Sequence, residues 1–390
     1  MDIFLKNKNK IEEVKDKVEF EEVKDKVEFG DEEDLETFLI ENPVIFPIKN
    51  FSDDATRFIP ISNQLETGHG PLDIIGVDNV GTIYIIECKL KKNPDKRKIR
   101  GQITDYWSKY VATRKWYFPY FLEDIKKNNF ESEAAKKHPE FFQKDLENIL
   151  QDNLDEQDDI TEVTDSIKQN FEKANYRLIL ALDALTVNIR DAIEAHNFKT
   201  ETPMYAIEIQ RFLKPNSPEY VAINTYPDNI HTISRSSGVR VHDNDYEKFL
   251  SALQKSNLTP IQKDHIKQFV SDTIKLVEKE KGENDWGSSP TVPRFLPSFP
   301  LTGFKSPLYL NPKTGHLRLQ FQMLFDTPSI VREKFRKSLE QIPEIKSTIE
   351  SAKKRNKGKE QESYAIPAEK WLSQKDAIIK ILAETFSGET

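Results

Sequence analysis

A single cysteine, Cys88, stands in the whole 390-residue chain. It excludes an internal disulfide framework and cannot furnish a cysteine-built zinc cage. Long apolar runs are missing too: none approaches the roughly 18–20 residues of a membrane span. The opening stretch, MDIFLKNKNK, holds no apolar signal core. The expected setting is therefore the cytoplasm, with no membrane partner. Neither a Gly-x4-Gly-Lys-Ser/Thr loop nor a Gly-x-Gly-x2-Gly fingerprint occurs, so no ATP motor is encoded. The seven histidines are scattered, with no pair at metal-ligand spacing on a helix. Positive charge is not in excess either: 57 Lys and Arg face 65 Asp and Glu, a net −8. A bulk polyelectrolyte binder would be basic, so any nucleic-acid contact must be local.

What the chain does have is one unusual stretch, residues 68–107. Two apolar runs, Leu72–Val77 and Thr82–Leu90, flank a turn at Asp78–Gly81 and read as a hairpin rich in Ile, Val and Tyr. The second run is apolar on both faces, as in a strand buried within a sheet. Two charges interrupt it. Glu87 and Lys89 are two apart and share a face, while Cys88 points the other way. Asp73, at the start of the neighbouring run, can be brought close to Glu87 by the same hairpin. Charges in such a strand are costly to bury without a task. A structural ion pair between Glu87 and Lys89 is the plainer alternative. Downstream, residues 95–113 read as a basic amphipathic helix with Gln102 and Tyr106 four apart on one face.

Asp-x13-Glu-x-Lys on a hairpin, followed by a Gln-x3-Tyr helix, resembles the PD-(D/E)XK nuclease superfamily, in particular its RecB-like and NucS-like branches. Leu72 stands where the motif's proline would precede Asp73. The resemblance implies a restriction-endonuclease-like α/β fold, a mixed sheet flanked by helices. It also implies a DNA endonuclease of restriction, phage defence or repair that uses Mg²⁺ or Mn²⁺. Asp73 and Glu87 would be the metal ligands, with the Cys88 backbone carbonyl as a further one. Lys89 would orient or activate the attacking water. Gln102 and Tyr106 would orient the metal shell or a phosphate. Such nucleases often add a glutamate from the first helix; Glu36 is the candidate here, with Glu33 in reserve. The local basic patch at 89–100 includes Lys91, Lys92, Arg97 and Arg100, the expected grip on DNA. A catalytically silent nuclease-fold module that binds DNA or a protein partner is the competing expectation, and RNA cleavage a third.

The rest of the chain sets the boundaries. Residues 12–20 and 21–29 are the same nine residues twice, EEVKDKVEF, and residues 1–30 read as a charged extension. A nuclease-like domain is expected over 31–215. It opens with a short helix ended by Pro43 and carries a helical insertion at about 119–172. The insertion rests on reading Tyr176–Leu182 as a strand of the same sheet as Thr82–Leu90. Asp183 and Glu208 superficially mimic a second acidic site and are read as structural. A mostly helical connector follows at 216–284, then a C-terminal α+β domain at 285–390, where a second copy or a partner subunit could dock.

Overall fold

The structure is a computed structural model that describes residues 2–7, 10–13, 25–52, 54–92, 99–114, 117–155, 158–200, 202–213, 219–227, 245–287, 292–324, 327–355 and 363–387. At residues 2, 7, 10–13, 25, 99–105, 245, 322–323 and 353–355 the description is of the backbone. The chain divides into two compact units, residues 1–51 with 57–240, and residues 52–56 with 241–390.

The first unit is built on a mixed nine-stranded sheet. Its strands are β1 (Asp2–Asn7), β2 (Lys10–Glu13), β3 (Asp25–Val27), β4 (Phe58–Glu66), β5 (Pro71–Asp78), β6 (Ile83–Lys89), β7 (Tyr176–Leu182), β8 (Met204–Leu213) and β9 (Glu219–Tyr226). They run in the order β2-β1-β9-β8-β7-β6-β5-β4, with β3 also on β8. β4, β5 and β6 form an antiparallel meander; β6, β7 and β8 are parallel. The long β8 divides its edge, pairing β7 through Met204–Glu208 and β3 through Arg211–Leu213.

Parallel neighbours need a crossover, usually helical. Between β6 and β7 the chain supplies α2 (Ile99–Thr113), α3 (Phe118–Glu131), α4 (Glu133–Lys136), α5 (Leu146–Asn153) and α6 (Ile160–Glu172), after α1 (Glu32–Glu41) near the start. α7 (Val187–Lys199) then joins β7 to β8. Trp107, Phe121, Ile149 and Ile167 from these helices share one core with Ile75 and Ile85 of the sheet. Residues 119–172 are thus an excursion from one sheet, as expected, and they also form the layer that covers one of its faces. On the other face Phe46 stacks on Phe58 with centroids 4.2 Å apart, beside Tyr84. Gly76 permits this: a Cβ there would lie 2.1 Å from the Phe58 ring.

β4 ends the sheet's path, and an open edge invites foreign strands. Here α3 covers it. Asn129 donates to the carbonyl of Ile61 at 2.9 Å and Asn128 to that of Asn63 at 2.8 Å.

The second unit gathers helices Asp245–Lys255 and Pro260–Lys279, the hairpin Leu308–Leu310 with Leu317–Gln320, the strand Ser363–Ile366 and the helix Lys375–Phe386. Phe249, Phe269, Phe299 and Trp371 lie in its core. The helix at Pro260 opens with a reciprocal capping box between Thr259 and Gln262.

Three boundaries differ from expectation. Residues 1–30 are not merely an extension, because β1, β2 and β3 extend the sheet; most of the tandem repeat lies outside the described residues. Residues 216–284 are not a connector: β9 belongs to the first unit, and both helices carry core residues of the second. Residues 52–56 join the second unit, where buried Asp54 lies 3.7 Å from Arg294.

Candidate active site

β4, β5 and β6 place three side chains in one row. The β4–β5 pairs Asn63–Ile74 and Leu65–Leu72 bracket Gln64 opposite Asp73. One step beyond the pair Ile74–Ile86, Glu87 stands opposite Asp73 on the other side. The backbone ladder ends there, and the Asp73 carboxylate takes over: its Oδ2 accepts from the Cys88 N–H at 2.8 Å. Gln64 has a φ of +48°, the left-handed region, beside a bulge at 60–62. Bulges and such φ values re-aim side chains at functional sites. Here the Gln64 Nε2 donates to Asp73 Oδ1 at 3.2 Å and to Glu36 Oε2 at 2.7 Å.

α1 brings the outer acids. Asp31 caps it by accepting from the Asp34 N–H, and Leu35, Phe38 and Leu39 anchor its apolar face. This phase buries Glu36 and turns Glu32 toward the end of β6. Lys89 Nζ lies 3.0 Å from Glu87 Oε1 and 3.0 Å from Glu32 Oε2. The plain ion pair of Glu87 with Lys89 is therefore present, but embedded in a larger cluster.

Four carboxyl groups, Glu32, Glu36, Asp73 and Glu87, thus gather near one ammonium, which touches Glu32 and Glu87 and acts through space on the other two. Burial first, then the Asp73 charge, pushes Glu36 and Glu87 each up to about 8. Burial raises Asp73 to about 6 against the lowering bonds from Cys88 N–H and Gln64 and the nearby Lys89. Burial acts to lower Lys89, yet the Glu87, Asp73 and Glu32 carboxylates prevail and hold it well above its ordinary value. The buried Cys88 thiol is pushed far up and is no nucleophile.

The donor set suits a hard divalent cation. All its atoms are carboxylate or amide oxygens, the partners of Mg²⁺ and Mn²⁺. Glu87 is 0% exposed, and its Oε2 meets no hydrogen-bond donor among the described residues. An orphaned carboxylate oxygen facing other acids is the signature of an atom that a cation would satisfy.

The remaining sequence candidates fare differently. Glu33, the reserve, pairs with Lys137 and stays exposed. Tyr106 is half-buried and lies against Gly70, where a Cβ would sit 2.5 Å from its ring. It thereby packs on the turn that leads into β5. Gln102 and Arg100 lie on α2, but their side chains are outside the description, and Arg97 lies outside the described residues. Lys91 is exposed. Lys92 is exposed too, but its ammonium bonds the carbonyls of Phe29 and Gly30. Asp183 and Glu208 are structural: they accept from the Lys91 and Leu185 N–H groups. Sequence reasoning missed Glu32 and Gln64. Glu32 is one of three consecutive acids in the first turn of α1, and only the helix phase selects it. The polar run Ser62–Gln64 in an otherwise apolar strand was the available signal for Gln64.

Three metal-ligand atoms within 4.8 Å of one another occur at a separate place, Glu41, His138 and Glu140. No helix among the described residues is long and apolar enough to cross a membrane. No protein-family model, no curated protein and no solved structure matches the chain.

Proposed function

We propose that this chain is a metal-dependent endonuclease that hydrolyses phosphodiester bonds of DNA, on a restriction-endonuclease-like sheet of the PD-(D/E)XK type. The observation that carries the reading is the buried acidic row around Asp73 and Glu87, which holds one orphaned carboxylate oxygen and a single lysine. Asp73 and Glu87 are the proposed ligands of Mg²⁺ or Mn²⁺, with Glu36 and the Cys88 carbonyl as further candidates. Such a cation, when bound, polarises the scissile phosphate and lowers the pKa of a bound water. Lys89 remains an ammonium, so it serves as a fixed positive charge that positions the water or offsets developing phosphorane charge, not as a base. Gln64 steadies the carboxylates of Glu36 and Asp73 from behind. Gln102, Tyr106, Lys91, Lys92, Arg97 and Arg100 remain the proposed contacts to substrate. The second unit is the proposed seat of a partner subunit or a second copy.

One observation favours the silent-module alternative: the Gln64 amide bridges Glu36 and Asp73, two of the acids a cation would draw together. Purified chain with supercoiled plasmid and Mg²⁺ or Mn²⁺ separates the two, with matched RNA as a second substrate. Nicking that needs the metal and disappears in Glu87→Gln supports the enzyme. Metal-independent DNA binding without cleavage supports the module, and preference for RNA redirects the substrate.

A further inference from the structure

The second cluster of ligand atoms lies along another strip of α1. Three residues one turn apart on that helix, Glu33, Thr37 and Glu41, meet the segment after α4. Glu33 pairs with Lys137, and Thr37 Oγ1 lies 3.5 Å from His138 Nε2. Glu41 Oε1 lies 3.9 Å from His138 Nδ1. His138 is only 6% exposed, whereas Glu41 and Glu140 reach the surface.

The imidazole is held in an unusual state. With Nε2 directed at Thr37, Nδ1 is left with no hydrogen-bond partner, although it is buried. In the tautomer that donates from Nε2 to Thr37, the bare Nδ1 lone pair faces carboxylate oxygens, which accept but do not donate. A buried ring nitrogen aimed at two acids, at a distance too long for a hydrogen bond, is reconciled by a cation between them. Ligand atoms about 2.0–2.2 Å from a shared tetrahedral Zn²⁺ lie about 3.3–3.6 Å apart. The three atoms here lie within 4.8 Å of one another, so closure requires shifts of up to about 1 Å, which two surface side chains can make.

We propose that Glu41, His138 and Glu140 bind a divalent transition metal of the Zn²⁺ class and that this ion staples α1 to the segment after α4. One imidazole with two carboxylates suits Zn²⁺ and leaves a fourth position for water. The hydrogen bond from Nε2 to Thr37 would fix the tautomer that presents Nδ1 to the metal. This site is chemically distinct from the all-oxygen row at Asp73 and Glu87 and does not depend on the nuclease reading. It would fasten the helix that also carries Glu32 and Glu36.

The test is Zn²⁺ binding to the full chain by equilibrium dialysis with metal analysis, beside thermal melting. The variants are Glu41→Gln, Glu140→Gln, His138→Asn and the double variant Asp73→Asn/Glu87→Gln. One equivalent of Zn²⁺ should bind wild type and the double variant alike and raise the melting temperature of both. Glu41→Gln and Glu140→Gln alter exposed side chains, so they test the ligands without unsettling the core; each should weaken that equivalent at least tenfold. The proposal is overturned if wild type binds no Zn²⁺ beyond what the double variant loses. It is equally overturned if both glutamine variants bind with unchanged affinity, which would leave a simple His138–Glu41 ion pair.

Discussion

One amide nitrogen of Gln64 holds Asp73 at 3.2 Å while also holding Glu36 at 2.7 Å. A donor shared by two acids from different elements fixes their separation before any cation arrives. It also eases their ionisation, since each bond lowers the pKa of its acceptor. Removing it in Gln64→Leu should move the pH profile of Mg²⁺-supported cleavage upward, because both carboxylates will hold their protons longer. A profile identical to wild type would mean that Gln64 is disengaged in the working enzyme.

Lys89 is predicted to matter twice. Lys89→Met should cut the cleavage rate by about 10²–10³-fold, the usual cost of losing one preorganised charge-stabilising group. Above about pH 8, where Glu87 is ionised, it should also lower stability by about 3 kcal/mol, because that carboxylate is left buried without its counter-ion. Adding Glu87→Gln to that variant should recover much of the stability and none of the activity. Urea titration reads the stability and plasmid nicking the rate; a double variant no more stable than Lys89→Met would contradict the pairing.

Metal ligation should distinguish Glu87 from Asp73. Glu87→Gln should weaken Mg²⁺ binding, and raised Mg²⁺ should partly restore cleavage, unlike in Lys89→Met. Asp73→Ala should add a folding defect of about 1–3 kcal/mol, since the Cys88 N–H loses its acceptor. Mg²⁺ titrations of melting temperature would check both.

The acidic row also sets a pH dependence. Glu87 is raised from 4.5 to about 8, so the folded chain keeps a proton that the unfolded chain releases. Its contribution to stability is full below about pH 4.5 and is lost as pH rises through about 8. Without metal, wild type should therefore lose stability across that window relative to Glu87→Gln, at about 1.4 kcal/mol per pH unit. Mg²⁺ should erase the difference by replacing the proton. Parallel stability curves for the two proteins would refute this.

The hairpin of β5 and β6 was legible because its apolar alternation is strong and its charges break that alternation at Asp73, Glu87 and Lys89. α1 was legible from Asp31 and Pro43, and with it Glu36. Illegible was whatever depended on distant pairing. β1 and β3 are short and charged, and they become strands only because β9 and β8 offer them an edge. β9 carries a short apolar run, Tyr220–Ile223, buried throughout, but it lies in a stretch whose pattern is otherwise weak. Gln64 was hidden for a different reason: its role comes from a left-handed φ that glutamine rarely adopts.

The asparagine pair on α3 has a consequence for how this protein can meet others. An extended peptide that tried to add itself beside β4 would find the carbonyls of Ile61 and Asn63 already answered. It would have to evict both amides and lift a helix rooted in the core through Phe121 and Ile125. Recruitment by strand addition is therefore closed at this end of the sheet, and a partner must recognise side chains rather than borrow the backbone there.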